Sequence, residues 1–178
     1  IIKFEGLMKR PLIRSILLLA LSPPIILNPL SALESDKSKQ VIWSSDGGST
    51  MTIMGDFRIL EMDRNVVVTQ GSLEVLGDRA IFEYVASTNE LRRVTVHGEP
   101  VNYQQQLNEN GQIVSGSSKT LIFYTNDLDE TVLELLGSAS IESPDSTISC
   151  DSIIYIVDQD LIREAVGPCQ GALSSKAD

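Results

Sequence analysis

Side chains that carry chemistry are scarce in this chain. Its 178 residues include one histidine and two cysteines. A lone His97 excludes a histidine-based metal cluster, and its place beside the Gly98 corner suits a surface or corner residue. Cys150 and Cys169 are too far apart for Cys-x-x-Cys, so no structural zinc site is expected. There is no Gly-x-Ser-x-Gly elbow and no phosphate-binding loop. The sequence therefore reads as a non-enzyme without cofactor or metal. Asp127, Asp129 and Glu130 could hold calcium weakly, but a solvated turn is the better reading. Positive charge is also short, with 14 basic against 24 acidic residues. Such a surface repels nucleic acid.

Helical periodicity is missing as well. The stretch Val94 to Tyr124 shows what replaces it. Val94 and Val96, Val101 and Tyr103, and Leu121 and Phe123 alternate with polar residues, the period of a half-buried strand. Gly98-Glu99-Pro100 and Ser115-Gly116-Ser117-Ser118 read as corners, and Asn108-Glu109-Asn110-Gly111 as a hairpin tip. The same grammar runs along the chain. Short apolar segments stop at Gly55-Asp56, Asp63-Arg64-Asn65, Gln70-Gly71, Gly77-Asp78, Ser143-Pro144-Asp145-Ser146 and Gly167-Pro168. A dozen or more short antiparallel strands without helices predict an all-β sandwich, barrel or roll.

The start of the chain follows other rules. Met8-Lys9-Arg10 and Arg14 precede an apolar stretch, Ile16 to Leu30, and Leu30-Ser31-Ala32 ends in small residues. Residues 1–32 read as a signal peptide, with 1–7 an upstream extension; the alternative is a retained anchor over residues 12–30. Residues 33–40 read as a flexible N-terminus, 41–173 as the β domain and 174–178 as a tail. Removing residues 1–32 leaves a net charge of −13. In a secreted chain two cysteines invite a disulfide. Cys150 and Cys169 stand nine residues before and ten after Gln159, at the tip of a candidate hairpin. Antiparallel pairing would bring them together; two buried thiols are the alternative.

A weak repeat overlies this pattern. Leu73 to Asp78, Ile113 to Ser117 and Thr147 to Asp151 each precede an apolar strand with an aromatic: Phe82 and Tyr84, Phe123 and Tyr124, Tyr155. Each unit is a pair of strands that folds over and returns, and stacked units would make an elongated two-walled roll with an apolar seam inside.

Three segments together resemble one family. They are Asn65-Val66-Val67-Val68-Thr69-Gln70-Gly71 with Gly77-Asp78, then Gly98-Glu99-Pro100-Val101-Asn102-Tyr103-Gln104, then Ile148-Ser149-Cys150-Asp151-Ser152-Ile153-Ile154-Tyr155. The ordered set is similar to the OstA-like family, the LptA-type periplasmic proteins of lipopolysaccharide transport, with Cys150 where glycine is usual. The resemblance covers roughly residues 40–170. It implies an open β-jellyroll that carries the acyl chains of lipopolysaccharide (lipid A) in its interior. It also implies head-to-tail homo-oligomers through edge strands, bridging an LptC-like inner-membrane protein and an LptD-like outer-membrane protein across the periplasm.

Candidate seam residues are Val41, Trp43, Phe57, Val66, Val68, Leu73, Val75, Phe82, Tyr103, Phe123 and Ile154; each could equally be ordinary core. Trp43 and Tyr103 stand out, because an amphipathic ring suits the meeting of apolar channel and polar headgroup. Arg79, Arg92 and Arg93 could meet phosphates near an opening. Val41-Ile42-Trp43 has no charge, proline or bulge to blunt a sheet edge, so it could add to a neighbouring strand. The last strand, Cys169 to Leu173, could do so at the other end. Two rival functions share these features: a membrane-anchored LptC-like subunit, and a secreted structural β-solenoid without lipid affinity. A solid core with no room for a chain would weigh against a carrier.

Overall fold

A computed structural model describes residues 36, 38–107 and 110–174. The signal-peptide reading and the Asn108-Glu109 tip lie outside the described residues. Among the described residues, ten strands form one antiparallel sheet: β1 Ile42–Ser44, β2 Ser49–Met54, β3 Phe57–Gln70, β4 Leu73–Val85, β5 Leu91–Gln106, β6 Ile113–Thr125, β7 Thr131–Ser143, β8 Ser146–Ile156, β9 Leu161–Val166 and β10 Gln170–Leu173. The path is a simple meander from β3 to β8. Both outer edges are divided: β1 and β2 pair with different parts of β3, and β9 and β10 with different parts of β8.

The strands are longer than their turn signals suggest. Four of the expected corners, Asp63-Arg64-Asn65, Gly77-Asp78, Gly98-Glu99-Pro100 and Ser115-Gly116-Ser117-Ser118, bend a strand instead of ending it. β5 runs for 16 residues straight through Gly98-Glu99-Pro100. Each neighbouring pair in the meander has a register shift near its middle: Asp63/Val66, Leu76/Arg79, His97/Val101, Ser117/Thr120 and Leu136/Ala139. Aligned across the sheet, these irregularities make a fold line. A bulge of this kind bends a strand while pairing resumes on both sides.

The bend also resets which residues face inward. In β5 the buried residues are Val94 and Val96 before the corner, then Val101, Tyr103 and Gln105 after it. The even positions give way to odd ones, so both halves turn their apolar face to the same interior. β4, β6 and β8 re-phase in the same way. β3 and β7 keep their phase, with Arg64-Asn65 and Gly137-Ser138 at positive φ in the bend. Gly77, at the bend of β4, is held by close approach. A Cβ there would lie 2.4 Å from Val96 Cγ1 and 2.9 Å from the His97 carbonyl oxygen.

The result is an open β-jellyroll with two walls. One wall holds β2, the 57–63 part of β3 and the halves that follow in register; the other holds β1 and the 66–70 part of β3 with their partners. Leu91 and Gln105, near opposite ends of β5, line one cleft. A straight strand would hold them roughly 45 Å apart, so the strand folds back on itself. Residues from both halves form one core, among them Leu60, Phe82, Val96, Leu121, Leu133 and Ile153 from one wall and Val66, Val75, Tyr103, Val114 and Ile141 from the other. The repeat seen in sequence matches this geometry. The leading segments of its three units lie in β4, β6 and β8 before the bend, and their aromatic partners lie after it.

Candidate functional site

The space between the walls is where an apolar ligand would have to go. Of the seam candidates, Val66, Val68, Leu73, Val75, Phe82 and Tyr103 are buried there, and Val41 and Phe123 are half-buried against the same core. Three others are placed differently. Phe57 is 39% exposed. Alternation with Leu60 and Met62 puts it on the outer face, opposite Val85. Ile154 lies between the buried Ile153 and Tyr155 and so points outward. Trp43 pairs with Val68 and shares its inner face, but on an edge strand it stays 39% exposed.

The interior is closed by its own side chains. Val96, Leu121, Leu133 and Ile153 are each 0% exposed. The cavity left among Val68, Val75, Val94, Val96, Leu121 and Phe123 is only 20 Å³. Larger clefts open along the margin opposite the fold line, where the strand ends of the two walls meet. One, of 330 Å³, is lined by Val41, Leu73, Leu91, Phe123 and Val157 with Gln70, Gln105, Thr131, Asp129 and Asp158 around them. The other, of 460 Å³, is lined by Leu107, Ile141, Tyr155, Ile162 and Leu173, with Asp145 and Asp160 among its polar residues. Two further clefts, of 360 and 380 Å³, lie on the outer face among mainly polar residues, Glu74, Asn102, Gln104 and Ser117 at one and Thr50, Glu61, Asp63 and Arg79 at the other. Apolar-lined room for a chain therefore lies along the open margin, and a chain in the seam itself requires the walls to part.

A polar group interrupts the apolar wall near this margin. The Tyr103 hydroxyl donates to Gln105 Oε1 at 3.0 Å, and the Tyr155 hydroxyl donates to Asp160 Oδ1 at 2.6 Å. Burial pushes both tyrosines above the ordinary phenol range; the Asp160 charge reinforces this at Tyr103, and Tyr103, then Asp160, at Tyr155. Burial also raises the Asp160 carboxyl above its ordinary value, partly opposed by the Tyr155 hydrogen bond. Neither Gln105 nor Asp160 is a residue that alternation selects. A polar residue in phase with Val101 and Tyr103 is the signal that finds Gln105; Asp160, in the turn after β8, carries none.

Asp160→Asn follows as a test of this group. A carboxyl with a raised folded-state pKa is favoured when protonated. Its stability contribution is whole below the ordinary pKa of 3.8 and is lost as pH rises through the folded value. Asparagine keeps an acceptor for Tyr155 and tolerates the left-handed backbone at φ 47°. The variant should therefore be more stable than the parent at pH 7 and lose that advantage near pH 3, read by denaturant midpoints at both pH values. An advantage of equal size at both would place its source outside the ionisation.

The other candidates are engaged elsewhere. Arg79 pairs with Glu61 at 2.5 Å, and the Arg93 guanidinium lies 5.7 Å from the Tyr124 ring centre. His97 Nδ1 is 3.0 Å from Thr120 Oγ1 beside the bend. The acidic turn is organised by Asn126, whose Oδ1 accepts from the Leu128 and Glu130 amides. Glu130 pairs with Arg163 at 2.5 Å, which holds its carboxyl below the ordinary range. Cys150 and Cys169 are joined in a disulfide, their Cα atoms 4.3 Å apart.

Residues 59–160 match the family model for the LptA/(LptD N-terminal domain) LPS transport protein. The lipopolysaccharide export system protein LptA of Escherichia coli K12 is 25% identical over 129 residues, covering 72% of this chain. The Shigella flexneri protein of the same name aligns with the same figures. The chain spans 66% of the length of these curated relatives. Among solved structures, LptH of Pseudomonas aeruginosa superposes with a TM-score of 0.65 at 16% identity, over 79% of this chain and 99% of that one. That protein is the LptA-homologous periplasmic component of the conserved lipopolysaccharide transport device of its organism. At that identity the likeness is one of fold.

Proposed function

Since the chain belongs to the LptA/(LptD N-terminal domain) LPS transport protein family, we propose that it is a periplasmic lipopolysaccharide carrier that holds acyl chains along the margin between its two walls. The carrying observation is the placement of free space. The apolar core is continuous across the sheet, and clefts of 330 and 460 Å³ open onto it along one side. Each acyl methylene removed from water is worth about 0.8 kcal/mol, so a chain seated in such a cleft binds without any reactive group. The closed interior then represents the unloaded state, and loading separates the walls.

Bridging between membranes follows on this reading from the two ends of the sheet. β1 and β2 leave one set of backbone groups unpaired, and β9 and β10 leave another. Head-to-tail stacking joins unlike edges into an open row rather than a closed dimer. The terminal edges then meet an LptC-like partner on the inner-membrane side and an LptD-like partner on the outer. Of the two rival readings, the anchored subunit depends on residues outside the described ones, and the structural solenoid predicts no lipid affinity.

Photo-crosslinking tests the carrier reading. A photoreactive residue at Phe123 should give an adduct with lipopolysaccharide, and one at outward-facing Thr95 should give none. Equal labelling at both sites, or none at Phe123 in a folded protein, would reject the margin as the lipid site.

A further inference from the structure

The two margin clefts abut, and a polar joint lies where they meet. On the wall that holds β1, Gln105 lines the smaller cleft and Leu107 the larger. On the facing wall, Asp158 lines the smaller, and Tyr155 and Asp160 the larger. One cleft thus gives way to the other between Gln105 and Leu107 on one side, and in the turn between Asp158 and Asp160 on the other. Together they form one track along the margin. Its two ends are apolar, with Leu73, Leu91 and Phe123 in the smaller cleft and Ile141, Ile162 and Leu173 in the larger. At the joint stand two hydrogen-bonded pairs, Tyr103 with Gln105 and Tyr155 with Asp160. The pairs face each other across the walls: the Asp160 charge acts on Tyr103, and Tyr103 acts on Tyr155.

We propose that this joint selects acyl chains that carry a hydroxyl group part-way along their length. The inference rests on the carrier reading above and names the class of chain carried. A plain alkyl chain laid across the joint covers hydroxyl, amide and carboxyl groups and returns no hydrogen bond. A hydroxyl at that point donates to the Asp160 carboxyl or to the Gln105 amide oxygen. Each of these groups accepts from one tyrosine and has capacity for another donor. A hydrogen bond to a carboxylate is among the stronger ones, and it forms here away from bulk water.

Pairing explains how the four groups are tolerated, but not why they stand there. In β5 the inner-face series after the bend runs Val101, Tyr103, Gln105, and it turns polar as it reaches the joint. Asp160 has left-handed backbone at φ 47°, a conformation that glycine or asparagine serves without a charge. A carboxyl placed instead at a half-buried position is costly, and a ligand hydroxyl lowers that cost. Because the pairs already satisfy each other, a plain chain is disfavoured and not excluded.

Calorimetric titration with tetradecanoate and with its 3-, 7- and 11-hydroxy derivatives, each below its micelle concentration, tests the selection. The best hydroxy chain should bind about tenfold more tightly than tetradecanoate. Equal binding of all four would overturn the selection and leave the carrier reading standing. No binding of any of them would overturn the margin as an acyl site, and the selection with it.

Two paired variants assign the preference to the joint. Tyr155→Phe/Asp160→Gly removes donor and acceptor together, so neither is left unbonded. It should bind tetradecanoate within about twofold of the parent and show no more than about a twofold preference for the hydroxy chain. Tyr103→Phe/Gln105→Leu removes the facing pair and should lower the preference by about threefold or more; it carries the test where the first variant lacks a cooperative unfolding transition. An undiminished preference in a folded variant of either kind would overturn the role of the joint. So would an equal loss of affinity for all four chains, because that is the mark of a purely structural group.

Discussion

Phe82→Ala should destabilise the protein by about 3–5 kcal/mol, whereas Phe57→Ala should cost less than about 1 kcal/mol. Both residues are phenylalanines on long neighbouring strands, and only their phase in the sheet separates them. Phe82 is 0% exposed, lies opposite Leu60 and Val94, and stacks on Tyr84 with ring centres 6.4 Å apart. Truncating it leaves a cavity lined by groups from rigid strands, which relax little. Phe57 sits at the start of β3 on the outer face and is 39% exposed. Its loss removes some contact with Val85 and leaves no void. Denaturant unfolding of both variants measures the difference. A stable domain of this size has about 5–15 kcal/mol in hand, so Phe82→Ala should still fold, with a much lower midpoint. Equal costs for the two would mean that the walls enclose no tight core.

That contrast shows how far the sequence alone could be read. The alternation of Val94 with Val96 and of Leu121 with Phe123 is enough to identify strands, and the lack of any helical stripe is enough for an all-β fold. Strand length is harder to see. Asp63-Arg64-Asn65, Gly77-Asp78 and Gly98-Glu99-Pro100 use the residues that also end strands, because bulges and turns need the same backbone freedom. Even Pro100 fits within β5, since a bulge leaves its position without a ladder bond to donate. The bends then hide the phase. Ile153-Ile154-Tyr155 is an unbroken apolar run with no alternation to mark its inner face. The re-phasing of β8 before Ile153 decides it, and that comes from tertiary structure.

The closed interior was the least legible feature. An apolar seam and an apolar core have the same composition, so residues such as Val66, Val75 and Tyr103 are correctly inward on either reading. Only the packing distinguishes them. The structure puts the usable space at the margin, beside residues that a seam argument ranks low, such as Leu91 and Val157. Half-buried positions there, such as Leu91 and Phe123, rather than fully buried ones such as Val157, are where a ligand can be approached without dismantling the core.

Phe123→Asp should weaken lipopolysaccharide binding at least tenfold, with Leu91→Asp close behind and Ile122→Asp nearly unchanged. Phe123 and Leu91 are partly buried residues that line the 330 Å³ cleft. Ile122 adjoins Phe123 on β6 but faces the other way, opposite Thr95 and Glu134. A carboxylate in the cleft acts twice. It replaces apolar surface that an acyl chain would cover, and it must be desolvated if the chain is to pass. It also joins Asp129 and Asp158, already at that cleft, and so opposes an anionic headgroup. Tenfold corresponds to about 1.4 kcal/mol, less than the burial of two methylenes at about 0.8 kcal/mol each, so the threshold asks little of the mechanism. Titration of fluorescent lipopolysaccharide reads the affinity, and a cooperative unfolding transition for each variant shows that the sheet is intact. Full binding by folded Phe123→Asp and Leu91→Asp would move the lipid away from this margin. Loss in Ile122→Asp as well would mean that added negative charge alone weakens binding, wherever it is placed.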